Sequence, residues 1–272
     1  ADIPISALAD EAPQYNRKWN KSKIKKNNFN IKDLKKIKTD EALIKILSTP
    51  DHSNKSWITD QYDQVVMCDT IQKSGGDAAV IRIHKKEKAI SISVDSSANY
   101  CVADPRTGGK QIICENWRNL ISVGSKPLAI TNCLNFGNPE KPEVMGEFVE
   151  CIEGMKEACE FLDYPVVSGN VSFYNETNSK SIFPTPVIGG VGIFDNLNRI
   201  IDMKTKKTGN IIIVVGKTFG HLTRSSFLKE IYSINDGPPP EINLTNEKNN
   251  GLSVLNLIKN NLVLSCHDVS SG

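Results

Sequence analysis

Two short polar segments carry residue types that could bind a nucleotide or a metal ion. One is LNFGNPE at 134–140 and the other is SGNVSFYNE at 168–176, and each follows an apolar run. Glycine lets a ligand approach the backbone closely, while amide and hydroxyl oxygens coordinate Mg²⁺ or hydrogen-bond phosphate without adding charge. Loops that follow neighbouring strands at one end of a sheet form ligand sites in α/β folds. Turns use the same residue types, so the pattern leaves a ligand site and plain turn chemistry equally open.

Acidic positions elsewhere offer a second set of candidate ligands. Asp95 follows the apolar segment AISISV and could bind Mg²⁺, but it could equally cap the next turn. Glu115 falls in a predicted helix, where an acid ordinarily faces solvent. His267 and Asp268 could form a catalytic pair, yet adjacent residues of a strand point to opposite faces. A structural role is the favoured interpretation for each of these residues.

Two familiar motifs are incomplete or out of context. VVGKTFG at 214–220 contains Gly-Lys-Thr, but a phosphate-binding P-loop needs a glycine five residues earlier, where this chain has Ile211. Asn170-Val171-Ser172 and Asn175-Glu176-Thr177 fit the N-glycosylation pattern. Because no basic region leads into an apolar run at the N-terminus, we expect no secretion and therefore no glycan.

Composition narrows the class of protein. The 272 residues are 39% hydrophobic and 24% charged, with a net charge of +2. Such a chain buries a core and has no global field that would attract nucleic acid or membrane. Its seven cysteines are scattered without C-x-x-C spacing, which predicts reduced thiols rather than disulfides or a zinc site. No apolar stretch reaches the length of a membrane span. We therefore expect a cytoplasmic protein that binds neither nucleic acid nor membrane.

A basic segment precedes the part of the chain that is rich in strands. Residues 17–38 hold ten Lys or Arg and one acid, Asp33. Only Trp19 and Phe29 could stack on bases, so a solvated linker is favoured over a nucleic-acid arm. The linker leads into a predicted helix at 40–48, with Asp40 as its N-cap. Its predicted apolar side consists of Leu43, Ile44, Ile46 and Leu47.

Alternating strand and helix patterns predict α/β structure beyond the basic segment. The predicted helices lie at 110–124, 143–162 and 251–261. The predicted strands lie at 78–84, 89–94, 126–139 (with its loop), 164–169, 185–195, 210–216 and 262–272. The strand at 164–169 has the pattern of a buried strand, and the last two strands would leave a second sheet incomplete. These patterns divide the chain into a basic linker and helix at 1–58, a first domain at 59–203 and a second domain at 204–272.

Six segments taken together resemble the second half of the phosphoribosylformylglycinamidine synthase family, in its small multi-subunit form. They are DIPISALADEAPQYNR, GGDAAVIRI, TNCLNFGNPEKPE, PVVSGNVSFYNETN, PTPVIGGVG and CHDVSSG. These segments follow one another in order over nearly the whole chain, and the stretch from 126 to 192 is the most specific.

The resemblance implies a fold of the aminoimidazole ribonucleotide synthetase type, which is α/β in class (α+β in its layering). Residues 59–203 would be the N-terminal domain, which builds half of a barrel shared with the other half of the protein, and 204–272 a truncated C-terminal α/β domain. The implied activity is an ATP-dependent C–N ligase of de novo purine biosynthesis. ATP phosphorylates the formamide oxygen of formylglycinamide ribonucleotide, and glutamine-derived ammonia displaces the phosphate to give formylglycinamidine ribonucleotide. Mg²⁺ neutralises the charge that develops on the phosphoryl group.

The resemblance also implies roles for individual residues. Gly169 matches a backbone contact to ATP, Asn170 a Mg²⁺ ligand and Ser172 a contact to the ribonucleotide substrate. Position 132 matches an ATP-contacting Asp of some relatives, and Asn132 keeps the acceptor oxygen, so we expect it to contact ATP. The family's catalytic histidines belong to the first half, so this chain is expected to hold no catalytic residue. None of its own histidines lies in a matching motif: His52, His84, His221 and His267.

The implied partners are the missing first half of the same protein, a glutaminase subunit and a small third subunit. The chain alone is therefore expected to be inactive, and it could pair with a second copy of itself. The alternative is an auxiliary nucleotide-binding or structural half of the barrel without turnover, with Asp95 and Glu115 as its ligands. A small-molecule kinase or a selenophosphate synthetase would need an Asp-rich motif near the N-terminus, which the sequence lacks.

Overall fold

A computed structural model describes residues 2–270 of the protein. Its strands are β1 (Thr70–Gln72), β2 (Ala79–Arg82), β3 (Ala89–Ser96), β4 (Lys126–Asn135), β5 (Val166–Ser172), β6 (Glu176–Thr177), β7 (Lys180–Ser181) and β8 (Thr185–Phe194). Its α-helices are α1 (Ile5–Leu8), α2 (Thr39–Leu47), α3 (Ser56–Thr59), α4 (Ala98–Cys101), α5 (Pro105–Ser122), α6 (Pro142–Leu162), α7 (Ser226–Tyr232) and α8 (Leu244–Lys259). Short 3₁₀ turns occupy Ile31–Asp33, Pro50–His52, Val66–Cys68 and Leu197–Arg199.

A six-stranded mixed sheet organises the fold, in the order β1-β2-β3-β8-β4-β5. Neighbouring strands run antiparallel except β4 and β5, which are parallel and are connected through α6. The predicted strands at 78–84 and 89–94 are confirmed as β2 and β3, which pair as an antiparallel hairpin, and those at 126–139 and 185–195 are confirmed as β4 and β8. Strands β6 and β7 form a separate two-stranded hairpin just beyond β5.

Helix α5 covers one face of the sheet, where it packs on β3, β4 and β8, and α6 packs on α5. Asp104 caps α5 by accepting a hydrogen bond from the Thr107 amide, and Pro105 occupies the first turn, where its missing N–H costs nothing. The helix therefore starts five residues before the predicted position. Where α5 and α6 cross, a Cβ atom on Gly109 would collide with the Cys151 carbonyl oxygen. Small residues thus let the two backbones touch, and both helices help to bury the core.

The core lies between the sheet and these two helices. Its largest fully buried side chains include Tyr164, Phe136, Ile112, Leu120, Ile130 and Ile188. The Tyr164 hydroxyl donates a hydrogen bond of 2.7 Å to Asn116 Oδ1, which satisfies both buried polar groups. A side chain on Gly190 of β8 would occupy the space that this pair fills. The glycines of β8 therefore make room for buried polar side chains.

The opposite face of the sheet carries exposed apolar side chains. Ile92 of β3 lies directly opposite Val191 of β8, and Val94 follows two residues later on the same face. Val94 is 67% exposed, while Ser91 and Ser93 on the helix side are buried. We call Ile92, Val94 and Val191 the open face. An apolar sheet face of this kind is typical of a surface that packs against another sheet.

An N-terminal strap, residues 20–25, lies across α6 and the start of α5. The Asn20 amide donates to the Pro142 carbonyl at 3.0 Å, and the Ser22 amide donates to Glu150 Oε2 at 2.8 Å. A side chain on Gly146 of α6 would collide with the Asn20 carbonyl. The prediction of a solvated linker is therefore wrong for this stretch: its lysines are exposed, but its backbone is docked on the domain.

Helix α2 differs from its predicted form. It begins at Thr39 with Lys38 as the N-cap, so Asp40 lies in the first turn and does not cap the helix. Its buried residue is Ala42, and it packs against α7. The predicted apolar side is wrong, because three of its four residues are exposed: Leu43, Ile44 and Leu47. The helix buries only a narrow side, since it lies on the surface of the domain.

Strand β5 is exposed, which corrects the prediction of a buried strand at 164–169. Val167 is 70% exposed, and Val166 and Val171 are also exposed, because β5 is the edge of the sheet. β-branched residues favour extended backbone in edge strands as well as in buried strands. The composition of this segment therefore predicted a strand but not its burial.

The predicted strands at 210–216 and 262–272 are absent from the described residues. Residues 211–215 are exposed and have no regular secondary structure, and 262–270 form irregular chain; Ser271 and Gly272 lie outside the described residues. A run of β-branched residues favours a strand, but a strand also needs a ladder partner. The predicted helix at 251–261 is confirmed as the longer α8. Among the described residues, none of the helices combines the length and the apolar character needed to cross a membrane.

Candidate functional site

The parallel pair β4 and β5 brings all four predicted binding residues together. In the ladder, Asn132 lies opposite Gly169 and Asn135 lies opposite Ser172, while Asn170 faces Cys133. Successive residues of a strand point to opposite faces. Gly169 and Asn132 therefore share the face that carries the helices, and Asn170 and Ser172 share the other face. A ligand that contacts all four residues must reach around the end of the two strands.

Asn132 packs against Gly169 and lines one end of a cavity. A Cβ atom on residue 169 would collide with Asn132 Oδ1, so the amide of Asn132 occupies the space that glycine leaves free. Asn132 lines a cavity of about 440 Å³ between β4, β5 and α6. The wall is mainly apolar with charged groups from α6 among the lining residues: Leu134, Ile152, Met155, Lys156, Cys159, Glu160, Asp163, Tyr164, Pro165 and Val166.

The loops that follow β4 and β5 are hydrogen-bonded to each other. The Phe136 amide donates to the Ser172 carbonyl at 3.0 Å, and the Tyr174 amide donates to the Gly137 carbonyl at 2.9 Å. Asn175, which the sequence offers only as part of a glycosylation pattern, donates from its backbone amide to the Phe136 carbonyl at 3.2 Å. The two polar segments thus form a single unit rather than two independent turns.

Glu176 fastens this unit to the β6–β7 hairpin. Its Oε1 atom accepts hydrogen bonds from Lys141 Nζ at 2.7 Å, Ser181 Oγ at 2.8 Å and the Asn138 amide at 3.2 Å. The hydrogen bond from Lys141 is the main reason why the pKa of Glu176 lies below its usual value. Glu176 is therefore a structural anion that holds the first loop in place.

Asp95, near the end of β3, lies in a hydrogen-bond network with side chains of α5. Its carboxylate accepts from Ser93 Oγ at 2.8 Å, Asn116 Nδ2 at 2.7 Å and Asn119 Nδ2 at 2.8 Å. The predicted capping role is wrong, because Ser97 holds the N-cap position of the next helix, α4. Burial raises the pKa of Asp95, and the hydrogen bonds from Asn116 and Ser93 oppose that rise.

Glu115 is half-buried near Asp95, which corrects the expectation of a solvated acid. Burial, together with the nearby charge of Asp95, raises the pKa of Glu115 to about 7. Its carboxyl group is therefore partly protonated near neutral pH. The burial of Glu115 near Asp95 of β3 could not be foreseen from its helical position alone.

His267 meets Asp77 rather than forming a pair with Asp268. His267 Nδ1 lies 2.6 Å from Asp77 Oδ1 and 4.0 Å from Asp268 Oδ1. The predicted strand geometry is absent here, so the two neighbours do not point to opposite faces of a sheet. The three side chains place one potential ligand atom each within 4.8 Å of one another. Asp77 was missed in the sequence, where its only signal is the Gly75-Gly76 turn before β2.

The carboxyl groups of this second cluster are buried, and one oxygen lacks a donor. Asp268 Oδ2 has no hydrogen-bond partner among the described residues, and Arg118 Nε is 3.5 Å away. Burial raises the pKa values of both Asp77 and Asp268. Arg118 is held from the other side by Glu247, at 2.7 Å. The cluster is thus rich in carboxylates and only partly neutralised.

Comparisons with known proteins identify the fold. A family model described as AIR synthase related protein, N-terminal domain, matches residues 75–194. The solved structure of Thermotoga maritima PurL complexed with AMPPCP is similar with a TM-score of 0.54 and 32% identity, over 75% of this chain and 31% of that chain. The structure of T. maritima PurL complexed with ATP gives a TM-score of 0.53, over 73% of this chain and 30% of that one. The predicted α/β fold of the aminoimidazole ribonucleotide synthetase type is confirmed.

Curated relatives match the chain from end to end. Phosphoribosylformylglycinamidine synthase subunit PurL of Pelagibacter ubique (strain HTCC1062) is 55% identical over 273 residues, which cover 100% of this chain and 37% of the relative. The PurL subunit of Azorhizobium caulinodans is 46% identical over 272 residues, with the same coverage. The chain thus spans little more than a third of these relatives' length. Over its whole length the chain is therefore similar to one part of the phosphoribosylformylglycinamidine synthase PurL subunit.

Proposed function

We propose that this chain is part of an ATP-dependent ligase that makes formylglycinamidine ribonucleotide from formylglycinamide ribonucleotide in de novo purine biosynthesis. The ammonia would come from glutamine. The observation that carries the proposal is the 55% identity to a PurL subunit over the whole chain. The chain spans 37% of that relative, so the activity belongs to the longer protein that contains it, here called the full-length protein. The isolated chain is inactive in this proposal.

Asn132 and Gly169 are proposed to contact ATP. The absence of a side chain on Gly169 leaves the backbone open to a ligand, and the Asn132 amide offers an acceptor and a donor at the rim of the cavity. A mainly apolar cavity of about 440 Å³ has room for a nucleotide base. The base would enter between α6 and β5, while the phosphates would extend toward the loops that follow the strands.

Asn170 is proposed to bind Mg²⁺ and Ser172 to contact the ribonucleotide. Asn170 is exposed at the end of β5, and its amide oxygen is a ligand type that suits Mg²⁺. One neutral oxygen fills one of six coordination positions, so phosphates, water or the other half of the protein would supply the rest. Mg²⁺ would supply neutralisation of phosphate charge. This chain's own part is to hold Asn170 and Ser172 two residues apart on one face.

The proposed partners are the first half of the full-length protein, a glutaminase subunit and a small third subunit. The open face offers Ile92, Val94 and Val191 for packing against the first half or, in the isolated chain, against a second copy. A solved structure of PurLQS from T. maritima, with a TM-score of 0.52 and 36% identity over 57% of this chain, supports a multi-subunit assembly. The domain limits 1–58, 59–203 and 204–272 remain proposals. The free cysteines of the described residues suit the reducing cytoplasm.

The test measures ATP-dependent amidine formation with ammonia. The full-length protein should turn over, the isolated chain should not, and Asn170→Ala in the full-length protein should lower kcat/KM by at least tenfold. Asn249→Ala on the exposed surface of α8 is the matched control and should leave the rate unchanged. An unchanged rate in Asn170→Ala would remove Asn170 from the site, and robust turnover by the isolated chain would overturn its proposed inactivity.

A second candidate is an auxiliary nucleotide site without turnover, built from Asp95, Glu115 and the Asp77–His267–Asp268 cluster. Asp268 Oδ2 favours it, because among the described residues this buried oxygen accepts no hydrogen bond and Arg118 Nε lies 3.5 Å away, so a cation would stabilise it. Titration calorimetry with ADP and Mg²⁺ tests this candidate. Binding that is lost in Asp268→Asn, with no hydrolysis of ATP by the isolated chain, would support it. The absence of heat with Mg²⁺ and ADP would exclude it.

A further inference from the structure

Asn175 joins the two loops at the proposed substrate site through its side chain. Its Nδ2 atom lies 3.0 Å from the Phe136 carbonyl and 3.0 Å from the Ser172 carbonyl. Phe136 follows β4 and Ser172 ends β5, so a single amide bridges the ends of both strands. The backbone of Asn175 makes two further hydrogen bonds. Its amide donates to the Phe136 carbonyl, and its carbonyl accepts from the Ile182 amide.

The same side chain contacts the hydroxyl of Ser172. Ser172 Oγ lies 3.3 Å from Asn175 Oδ1 and 3.1 Å from Asn175 Nδ2. The orientation of the amide is defined, because exchanging Oδ1 and Nδ2 would place an acceptor oxygen against two carbonyl oxygens. Nδ2 shares its two hydrogens among these carbonyls and Ser172 Oγ, and Oδ1 accepts from the Ser172 hydroxyl. The hydroxyl therefore has one preferred direction instead of three staggered ones.

We propose that Asn175 is a positioning residue for the ligase reaction, which acts through Ser172 by fixing the direction of its hydroxyl toward the ribonucleotide. This inference rests on the substrate contact proposed for Ser172. A preorganised hydroxyl binds its ligand without the entropy loss of ordering it on binding. Asn132 and Gly169 face the other side of the sheet, so the effect should fall on the ribonucleotide and spare ATP.

Replacing Asn175 by alanine is compatible with folding of the loops. The Phe136 carbonyl keeps its bond from the Asn175 amide, and the Ser172 carbonyl keeps its bond from the Phe136 amide. What the variant loses is the bridge and the partner of the Ser172 hydroxyl. A second variant, Asn175→Gln, keeps the amide but displaces it by one methylene, so it should also release the hydroxyl.

The experiment compares Ser172→Ala, Asn175→Ala, Asn175→Gln and the double variant Ser172→Ala/Asn175→Ala in the full-length protein, with Asn249→Ala as control. We expect Asn175→Ala to raise the KM for formylglycinamide ribonucleotide about five- to tenfold, as for the loss of one hydrogen bond. The Kd for ATP should stay within about twofold of the parent's. In the double variant the KM should equal that of Ser172→Ala alone, because Asn175 acts through Ser172.

Each outcome decides the inference. An unchanged KM in Asn175→Ala, beside a raised KM in Ser172→Ala, would overturn the positioning role and leave the proposed function standing. The positioning role would also be overturned if the effects of the two substitutions on KM multiplied in the double variant. It would be overturned as well if Asn175→Ala weakened ATP binding as much as ribonucleotide binding, because Asn175 would then be merely structural. Loss of the folded circular-dichroism signal in both Asn175 variants would overturn it too. An unchanged KM in Ser172→Ala would instead remove the substrate contact on which the inference depends.

Discussion

Asn132 Oδ1 fills the space beside Gly169 that any other residue would need for its Cβ atom. Gly169→Ala should therefore displace the Asn132 amide, and the Asn132 carbonyl oxygen, at 2.8 Å from the Cβ position, leaves little room to adjust. We expect a loss of about 1–3 kcal/mol in the free energy of unfolding, as for overpacking elsewhere. Urea unfolding of the chain measures it. Adding Asn132→Ala should recover part of the loss, and a Gly169→Ala variant as stable as the parent would contradict the proposed crowding.

The crossing of α5 and α6 gives a second prediction. A Cβ atom on Gly154 would collide with the carbonyl oxygen of Arg106, which belongs to the backbone and cannot rotate away. Gly154→Ala should lower stability by about 2 kcal/mol or more, although alanine favours a helix by about 1 kcal/mol over glycine. Thermal unfolding measures the change. Asn249→Ala, on the exposed side of α8, should change stability by less than about 0.5 kcal/mol.

The raised pKa of Glu115 predicts how the free energy of unfolding changes with pH. Its folded-state pKa of about 7 lies above the unfolded value of 4.5, so the unfolded chain gives up this proton first. The contribution of Glu115 to the free energy of unfolding is fully present below pH 4.5 and is lost as the pH rises through about 7. Glu115→Gln should flatten the decline between those values. The pKa of Glu147, raised by burial to about 6, adds to the same decline, so Glu147→Gln is the comparison. An identical profile in Glu115→Gln would refute the assignment.

Cation binding at the second cluster should depend on pH in the opposite sense. Asp77, Asp95 and Asp268 all have raised pKa values because they are buried, so protons and Mg²⁺ compete for them. If the auxiliary site exists, Mg²⁺ should raise the melting temperature more at pH 8 than at pH 5. Asp268→Asn should reduce the difference. Equal shifts at both pH values, or removal of Mg²⁺ by EDTA without effect, would count against the site.

The open face predicts self-association of the isolated chain. Val94 is 67% exposed within an apolar sheet face, and burying such a face is favourable. We expect light scattering to detect a dimer that Val94→Lys converts to monomer without a change in circular dichroism. Ile212→Lys is the matched control, because Ile212 is an exposed apolar residue outside the sheet. A dimer that survives Val94→Lys would place the contact elsewhere.

Local patterns predicted the sheet and its two long helices well. The alternation at β2 and β3 and the 3.6-residue periodicity of α6 are properties of neighbouring residues, so a sequence reveals them. The family resemblance, rather than a local pattern, pointed to Asn132, Gly169, Asn170 and Ser172, and the structure places them within the paired strands β4 and β5. Their division between two faces of the sheet was not foreseen, since it depends on the register of two strands separated by a helix.

Contacts between distant parts of the chain could not be predicted in this way. Asp77 and His267 are 190 residues apart, and no local sequence pattern around either residue predicts their contact. The run at 211–215 has the composition of a strand, yet a ladder partner decides whether it becomes one. The prediction for the apolar side of α2 was wrong for a related reason. Periodicity identifies the apolar side of a helix, but it does not show whether another element packs on that side.

The strap across α6 also constrains the order of events as the chain is synthesised. Ser22 leaves the ribosome 128 residues before Glu150, the side chain that accepts its amide proton. Until α6 has formed, the backbone amides of Asn20 and Ser22 lack the acceptors that α6 supplies. Closing so long a loop is slow relative to forming local helices. Residues 20–25 are therefore made before α6 but reach their final place only after it.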